Sequence, residues 1–280
     1  AKPPMARVAM SSESPAHVQD GSDGPLLKPA AGAARLRELV PGVSGMGRYQ
    51  VTGPDVQVLQ FLLSPGERVV AETGTMMSMA PEVTPGIDCD FARCMQRCCS
   101  GESCYFATFT NSGSGNTVLS LTPNIPAKVI PLEMSASSGS FYTKSGAFLA
   151  GTGDADVGYE SDCRCVRCAL SGQGCCRQVV TGTDLVFLAA MGTVMVKDLA
   201  PGEVLVLDSE VLVAWEKTVA MDVRFQNSVG MAICSGEGLA NTVVTGPGLV
   251  VLQTYNRQRF QRAVFMYAQA ARMALNMNRM

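Results

Sequence analysis

A single histidine occurs in the 280-residue chain, and this scarcity excludes several kinds of active site. His17 lies in the segment AHVQDGSDG near the beginning of the sequence. Ser-His-Asp and Cys-His catalytic pairs, and metal sites with histidine ligands, require a histidine in the folded part of a protein. We therefore expect a protein that is not an enzyme and that carries no cofactor.

Charged residues are also few, at 16% of the chain, and neither sign dominates. Twenty-two lysines and arginines stand against 24 aspartates and glutamates, which gives a formal net charge of -2. A nucleic-acid-binding protein would need a basic surface. We expect no nucleic-acid partner.

Long hydrophobic runs are missing, since no apolar stretch reaches the roughly 18 residues of a membrane span. The start of the sequence also lacks the basic-then-apolar pattern of a secretory signal. The sequence thus predicts a soluble protein in which the 11 cysteines remain thiols rather than forming a disulfide framework.

Hydrophobic residues make up 47% of the chain, interrupted by 28 glycines and 15 prolines. Between about Arg48 and Tyr255, short runs such as VQVLQFLL, TVLSL and LVVLQT alternate with SPGE, APGE and TGPG. Such runs predict an all-β domain over residues 46–255. Residues 1–45 read as a disordered lead-in, with RLRELV (35–40) as a candidate short helix.

The β-rich region contains a repeat. The phrases ETGTMMSM, KSGAFLAG and DSEVLVAW, from Glu72, Lys144 and Asp208, precede SGES, SGQG and SGEG at nearly equal distances. Three copies in register predict triplicated β-sandwich units around an internal pseudo-threefold axis, followed by a C-terminal helix.

Glycine and acidic residues at the turns of this repeat have a structural interpretation. Glycine permits the positive φ of a tight turn, and the neighbouring carboxylate accepts backbone hydrogen bonds. A ligand-binding or catalytic carboxylate is the alternative for the SGE and SGQ phrases, and an acidic contact surface is the alternative for SPGE and APGE. The residues assigned to these turn motifs are Gly66, Glu67, Gly101, Glu102, Gly172, Gly202, Glu203, Gly236 and Glu237.

A family resemblance rests on LSPGERVVAETGTMMSM, SGES, SGAFLAG, APGEVLVLD and SGEGL…TGPGLVVLQT, in this order. Over about residues 47–254 the chain resembles the altered-inheritance-of-mitochondria protein twenty-four family, which also has many bacterial members. The resemblance implies a fold similar to the tryptophan RNA-binding attenuation protein and, for fungal members, a role in mitochondrial inner-membrane organisation. It supplies no catalytic residues.

The cysteines form two clusters at matching places in the first two repeats. Core thiols that replace small apolar residues explain several of these positions. A cysteine-only metal site is the weaker alternative, and acylation or redox sensitivity is a further one. The candidate ligands of a metal site would be Cys163, Cys165, Cys168 and Cys175.

Residues 256–280 change in composition to Ala, Met, Gln and Arg, which predicts a basic amphipathic helix. Phe260, Val264, Tyr267, Ala271 and Leu275 trace one apolar face. The helix either packs on the β body or contacts another subunit, a protein partner or an anionic membrane surface, and disorder of this segment is the third alternative. Residues assigned to the partner or membrane contact are Arg257, Arg259, Phe260, Arg262 and Arg272.

These features favour a non-enzymatic, self-associating β scaffold that engages a protein or membrane partner. A cysteine-cluster module for a metal or small ligand is the alternative. We expect a homo-oligomer, with a trimer as one candidate, because edge strands must be covered or paired. The family resemblance implies a mitochondrial location. Glu13, Asp20 and Asp23 are atypical of a transit peptide, so the cytoplasm is the alternative location.

Overall fold

The computed structural model describes residues 37–38, 48–89, 105–161, 176–225 and 240–277. These residues are mostly β, with a single α-helix at the C-terminal end. The strands are β1 (Arg37–Glu38), β2 (Tyr49–Thr52), β3 (Val58–Leu63), β4 (Arg68–Ala71), β5 (Met76–Met79), β6 (Val83–Asp88), β7 (Phe106–Asn111), β8 (Thr117–Leu121), β9 (Lys128–Glu133), β10 (Ser140–Thr143), β11 (Phe148–Thr152), β12 (Asp156–Ser161), β13 (Cys176–Thr181), β14 (Leu185–Leu199), β15 (Val204–Leu207), β16 (Leu212–Glu216), β17 (Ala220–Phe225), β18 (Ala240–Thr245) and β19 (Gly248–Tyr255). Helix α1 is Arg257–Met277, and Met134–Ala136 forms a 3-10 turn.

The strands form three sheets. The largest is 12-stranded, with the order β12-β13-β10-β16-β19-β14-β11-β4-β7-β6, and both β1 and β9 also pair with β14. A 4-stranded sheet has the order β2-β3-β8-β5, and a 3-stranded sheet has the order β15-β18-β17. All strand pairs in the described residues are antiparallel, and successive side chains of each strand point to opposite faces of its sheet.

The 15-residue strand β14 divides the largest sheet into two halves. Its residues up to Ala190 pair with β9 and β11, and its residues from Met191 onward pair with β19 and β1. We call the part that contains β6, β7, β4, β11 and β9 the first half. The part that contains β12, β13, β10, β16, β19 and β1 is the second half.

Three hydrophobic clusters join these sheets as successive layers. The first lies between the 4-stranded sheet and the first half, where the rings of Phe61 and Phe187 meet edge to face at 5.2 Å. The second lies between the two halves and contains Phe148 and Val251. The third lies between the second half and the 3-stranded sheet, around the fully buried Trp215. Both halves therefore have a core on each face, and strands β11 and β16 are buried at every position.

Residues 37–38, the described part of the segment 35–40, do not form the short helix that its composition suggests. Arg37 and Glu38 form a strand, opposite Val196 and Met195 of β14. The unpaired backbone groups along β14 offer hydrogen bonds to an extended chain, and such tertiary pairing overrides a weak helix propensity. Two residues of the predicted lead-in thus pair with the β body.

Candidate functional site

Helix α1 begins directly after β19, at a capping residue. The Oδ1 atom of Asn256 accepts a hydrogen bond of 2.7 Å from the backbone N–H of Arg259, which would otherwise lack a partner in the first turn. The Nδ2 group of Asn256 donates to the carbonyl oxygen of Glu210 at 2.9 Å. Asn256 is itself buried. The start of the helix is therefore fixed to the loop between β15 and β16.

Ion pairs strengthen this attachment. The Arg259 guanidinium donates to Glu210 Oε2 at 2.7 Å and also contacts the Asp208 carboxylate, while Arg262 lies 3.4 Å from Glu210 Oε1. Burial acts to raise the pKa of Glu210, but the hydrogen bond from Arg259 and the charges of Arg259 and Arg262 outweigh it and lower that pKa. We call Asp208, Glu210, Asn256, Arg259 and Arg262 the helix anchor.

Lys144 lies beside the helix anchor, in the turn between β10 and β11. Burial lowers the pKa of Lys144 to about 8, against the opposing effect of the Glu210 and Asp208 carboxylates. Its backbone N–H donates to the Val213 carbonyl oxygen at 2.8 Å, which attaches the backbone of this turn to β16. A lysine with this pKa is partly neutral near physiological pH.

A cavity of about 200 Å³ adjoins the base of the helix. Glu72, Asn124, Gly146 and Arg257 contribute polar groups or backbone to its wall, and Leu149 is among its apolar lining residues. Typical pockets for drug-sized ligands are about 300–1,000 Å³. This cavity suits a few water molecules or a small ion better than an organic substrate.

The helix leaves the body after its second turn. Phe260 packs against the first hydrophobic cluster, and Ala263 is half-buried. Beyond them lies what we call the distal helix, residues 264–273, whose described side chains are all exposed. The exposed large hydrophobic side chains there are Val264 (52%), Phe265 (61%), Met266 (64%), Tyr267 (79%) and Met273 (64%).

The structure separates the residues that the sequence assigned to a partner contact. Arg259 is held in ion pairs with the chain's own carboxylates, Phe260 is partly buried, and Arg257 lines the cavity. Arg262 is mostly exposed despite its contact with Glu210, and Arg272 is exposed at the surface of the distal helix. The exposed apolar surface of the helix therefore begins at Val264, one turn after Phe260, although Arg257 is itself exposed beside the cavity.

The described turn residues form a matched pair of tight turns. Gly66 and Gly202 have positive φ values of 78° and 76°, and each follows a proline. Glu67 Oε2 accepts the Ser64 N–H and Glu203 Oε2 accepts the Ala200 N–H, each at 2.9 Å. Each carboxylate also pairs with a cation of the chain, Arg48 or Lys197, at 2.7 Å.

The remaining predicted positions lie outside the described residues. They are Gly101, Glu102, Gly172, Gly236, Glu237, Cys163, Cys165, Cys168 and Cys175. Within the described residues, no group of three or more His, Cys, Asp or Glu side chains is arranged to hold a metal ion. In the same part of the chain, no helix has the length and hydropathy needed to cross a membrane.

Sequence reasoning missed Lys144, Asp208, Glu210 and Asn256. An asparagine directly before a helical pattern is a recognised start signal and could have identified Asn256. Lys144 and Asp208 occupy the first position of their repeat phrases, equivalent to Glu72 in the other copy. All three copies have a charged residue at this position, and this recurrence is the sequence signal that could have identified Lys144 and Asp208.

Comparison with known proteins places these features in a family. Over 162 residues the chain is 29% identical to an uncharacterised protein of Streptococcus pyogenes serotype M6, covering 58% of this chain and 62% of that protein. The chain thus matches less than two thirds of that relative. A crystal structure of a Streptococcus pyogenes protein superposes with a TM-score of 0.62 at 22% identity, covering 79% of this chain and 99% of the other, which shows a shared fold. Residues 49–255 match the family described as Mitochondrial biogenesis AIM24, which comprises nearly the whole β region, and the chain belongs to that family.

Proposed function

We propose that this protein is a non-enzymatic scaffold that self-associates through its β body and presents the distal helix to a membrane or protein partner. The observation that carries the proposal is the contrast between the two ends of α1. The helix anchor fixes the first turns, and the distal helix leaves five large apolar side chains exposed. An exposed apolar surface of this kind marks a site of interaction with a protein or a membrane.

The non-enzymatic part of the proposal rests on the sequence. The only histidine, His17, lies in the predicted lead-in, and the cavity beside Arg257 is small for an organic substrate. Neither feature supplies a nucleophile and a general base within reach of each other.

Repetition of the strand pairing supports a triplicated β unit. Strands β4, β10 and β15 each begin four residues before a repeat phrase, and these phrases start at Glu72, Lys144 and Asp208. The pairs β5·β8, β11·β14 and β16·β19 each contain an irregularity at the second residue of the first strand, namely Met77, Leu149 and Val213. Bulges at equivalent places are features that repeat with the unit rather than accidents of one strand.

The family description supports a mitochondrial role without restricting the protein to mitochondria. It names mitochondrial biogenesis, whereas the streptococcal relatives come from an organism without that organelle. We infer a role in inner-membrane organisation if the protein is mitochondrial. A cytoplasmic scaffold is the alternative.

Of the two kinds of partner, an anionic membrane surface is tested first. The sequence of α1 contains arginines and no acidic residue, and each arginine near an anionic surface contributes about 1 kcal/mol of attraction. Exposed Phe265 and Met266 would add hydrophobic contact with lipid.

Truncation after Ala263 tests this surface while keeping the helix anchor. The full chain should sediment with vesicles of phosphatidylcholine and phosphatidylglycerol at low salt, and truncation should abolish this sedimentation. Phe265→Ser with Met266→Ser should weaken it, whereas the matched control Gln261→Ser with Gln269→Ser should not. Full binding after truncation would refute the distal helix as the contact. No vesicle binding by the full chain would leave a protein partner as the proposal.

The alternative of a cysteine-cluster module is separated from the scaffold by elemental analysis. Cys163, Cys165, Cys168 and Cys175 are its candidate ligands. Stoichiometric zinc or iron in protein purified without chelator, lost in Cys163→Ser with Cys165→Ser, would favour the module. We expect neither metal at stoichiometric amounts.

A further inference from the structure

The 4-stranded sheet ends in β5 and the 3-stranded sheet ends in β15, and each of these strands has one edge without a strand partner among the described residues. In the part of the chain that the structure describes, β5 pairs only with β8, and β15 pairs only with β18. Each strand therefore presents a row of backbone N–H and C=O groups without a strand partner on its other side. Such edges readily accept a strand from another chain.

We call the 4-stranded and the 3-stranded sheets the outer sheets. Joined edge to edge, they would contain strands equivalent to those of either half of the 12-stranded sheet. In the first half, the run β6-β7-β4 joins β11-β14-β9 through the pair β4·β11. In the second half, β12-β13-β10 joins β16-β19-β14 through the pair β10·β16. By the same order, β17-β18-β15 would join β5-β8-β3 through a pair β15·β5.

The two existing junctions have the same register. Ala150 lies opposite Ala71 and Gly151 lies opposite Val70 in the first. Ala214 lies opposite Thr143 and Trp215 lies opposite Tyr142 in the second. Ala150 and Gly151 occupy the same repeat positions as Ala214 and Trp215, and Ala71 and Val70 occupy the same positions as Thr143 and Tyr142. The two junctions therefore pair equivalent residues.

Side chains at the free edges of β5 and β15 are more exposed than those of equivalent strands that have a partner strand. Strands β11 and β16, which have a partner on this side, are buried at all five positions, whereas β5 is exposed at all four. The exposed side chains at the free edges are Met76 (46%), Met77 (59%), Met79 (38%), Val204 (54%) and Val206 (45%). Aliphatic side chains on an open edge strand promote association unless a partner covers them.

We propose that copies of this chain associate head to tail, with β5 of one copy pairing antiparallel with β15 of the next. The equivalent register places Ser78 opposite Leu207, Met79 opposite Val206, and Ala80 opposite Leu205. This interface identifies the contact behind the self-association of the proposed function and rests on it. Because the two edges differ, the contact is heterologous, and it closes into a ring or continues as a filament.

A second copy fits better than closure within one chain. Among the described residues, the hydrophobic cluster of the 4-stranded sheet is shared with the first half, and that of the 3-stranded sheet is shared with the second half. No cluster in this part of the chain contains residues of both outer sheets. The outer sheets are thus the first and last layers of the stack, and each has an uncovered side.

Edge charges test the interface, because a lysine on an edge strand opposes pairing with a further strand. The wild type should associate at micromolar concentration in analytical ultracentrifugation. Met79→Lys and Val206→Glu should each weaken association about tenfold or more, while the matched control Ile87→Lys, on exposed β6, should not. Mixing the two variants should restore association, because β5 of the Val206→Glu copies and β15 of the Met79→Lys copies are both unchanged and can pair. At the other contact the introduced lysine and glutamate would face each other. Circular dichroism melting checks that both variants remain folded.

Photo-cross-linking separates a second copy from closure within the chain. Copies carrying p-benzoylphenylalanine in place of Met79 are mixed with isotopically heavy copies that lack the probe, and cross-linked peptides are read by mass spectrometry. Links from position 79 to the heavy 204–207 peptide support the proposal. Links confined to one chain overturn it. Oligomers that persist in Met79→Lys and in Val206→Glu overturn this interface but not self-association, whereas a monomeric wild type overturns self-association itself.

Discussion

Lys144 combines burial with two nearby carboxylates, and burial has the larger effect on its ionisation. Its pKa falls from 10.5 to about 8, so the folded protein releases this proton at a pH where the unfolded chain still holds it. Between about pH 8 and 10.5 the unfolded state therefore binds more protons, and stability contributed by this group rises with pH. Below about pH 8 both states are protonated, and the charged lysine costs the folded state free energy.

Lys144→Met should consequently stabilise the protein at pH 7 by up to about 3 kcal/mol, since the lowering of the pKa from 10.5 to about 8 corresponds to about 1.4 kcal/mol per pH unit and already includes the opposing effect of the carboxylates. The advantage over the wild type should shrink between about pH 8 and 10.5. Urea denaturation of both proteins at about pH 7 and about pH 10 measures the difference directly. An equal difference at the two pH values would contradict a lowered pKa.

Gly192 and Gly66 share a positive φ but differ in surroundings. Gly192 has φ 72°, and a Cβ there would clash with Thr254 Oγ1, which accepts the Thr193 N–H. Gly66 has φ 78°, and no atom lies within 4 Å of its Cβ position. Gly66→Ala should cost about 1 kcal/mol from the backbone conformation alone. Gly192→Ala should cost about 2–3 kcal/mol in urea denaturation, and equal costs would argue against the clash.

Some residues could be placed from the sequence and others could not. The Pro-Gly-Glu turns at Gly66 and Gly202 depend on local chemistry, so their position between strands could be anticipated. The sequence predicts a partner contact for Arg259 because the C-terminal helix contains arginines and no acidic residue. Its carboxylate partners, Asp208 and Glu210, lie 51 and 49 residues away in the sequence. Ion pairs over such separations depend on the tertiary fold, which no local pattern encodes.

At the scale of elements, the Asn256 cap should control the order of α1 without affecting the sheets. Asn256→Ala removes the acceptor for the Arg259 N–H and should cost about 1 kcal/mol. Hydrogen exchange should accelerate in the first turns of α1, with unchanged protection of β16 and β19. Asn256→Ser, which restores a capping oxygen, serves as the conservative control and should return most of the protection.

Strand and helix positions were largely predictable, because alternation, Gly/Pro turns and the change of composition at residue 256 are local signals. The order of the strands within the sheets could not be predicted from the sequence. Pairs such as β4·β11 and β16·β19 join distant segments, and the burial of β11 and β16 on both faces follows from the layers. The short strand β1 shows the same limit, since its structure depends on β14 rather than on its own sequence.

For the whole molecule, the layered cores imply unequal resistance to local opening. Among the described residues, the 3-stranded sheet contacts a single core, whereas each half of the 12-stranded sheet lies between two cores. In native-state hydrogen exchange, amides of β17 and β18 should open at lower free energy than those of β11 and β19. If the head-to-tail contact forms, dilution should lower the protection of β15 and leave β19 unchanged.

The continuous strand β14 has a consequence for cooperativity. The residues of β14 up to Ala190 belong to the first half and those from Met191 onward to the second. Neither half can therefore lose its strand register without disturbing the strand that also stabilises the other half. A tandem of separate units would unravel one unit at a time, with nearest-neighbour coupling only. This chain should instead unfold both halves in a single transition. Coincident urea curves from fluorescence of Trp215, in the second half, and from isotope-labelled Phe187, in the first, would establish that behaviour.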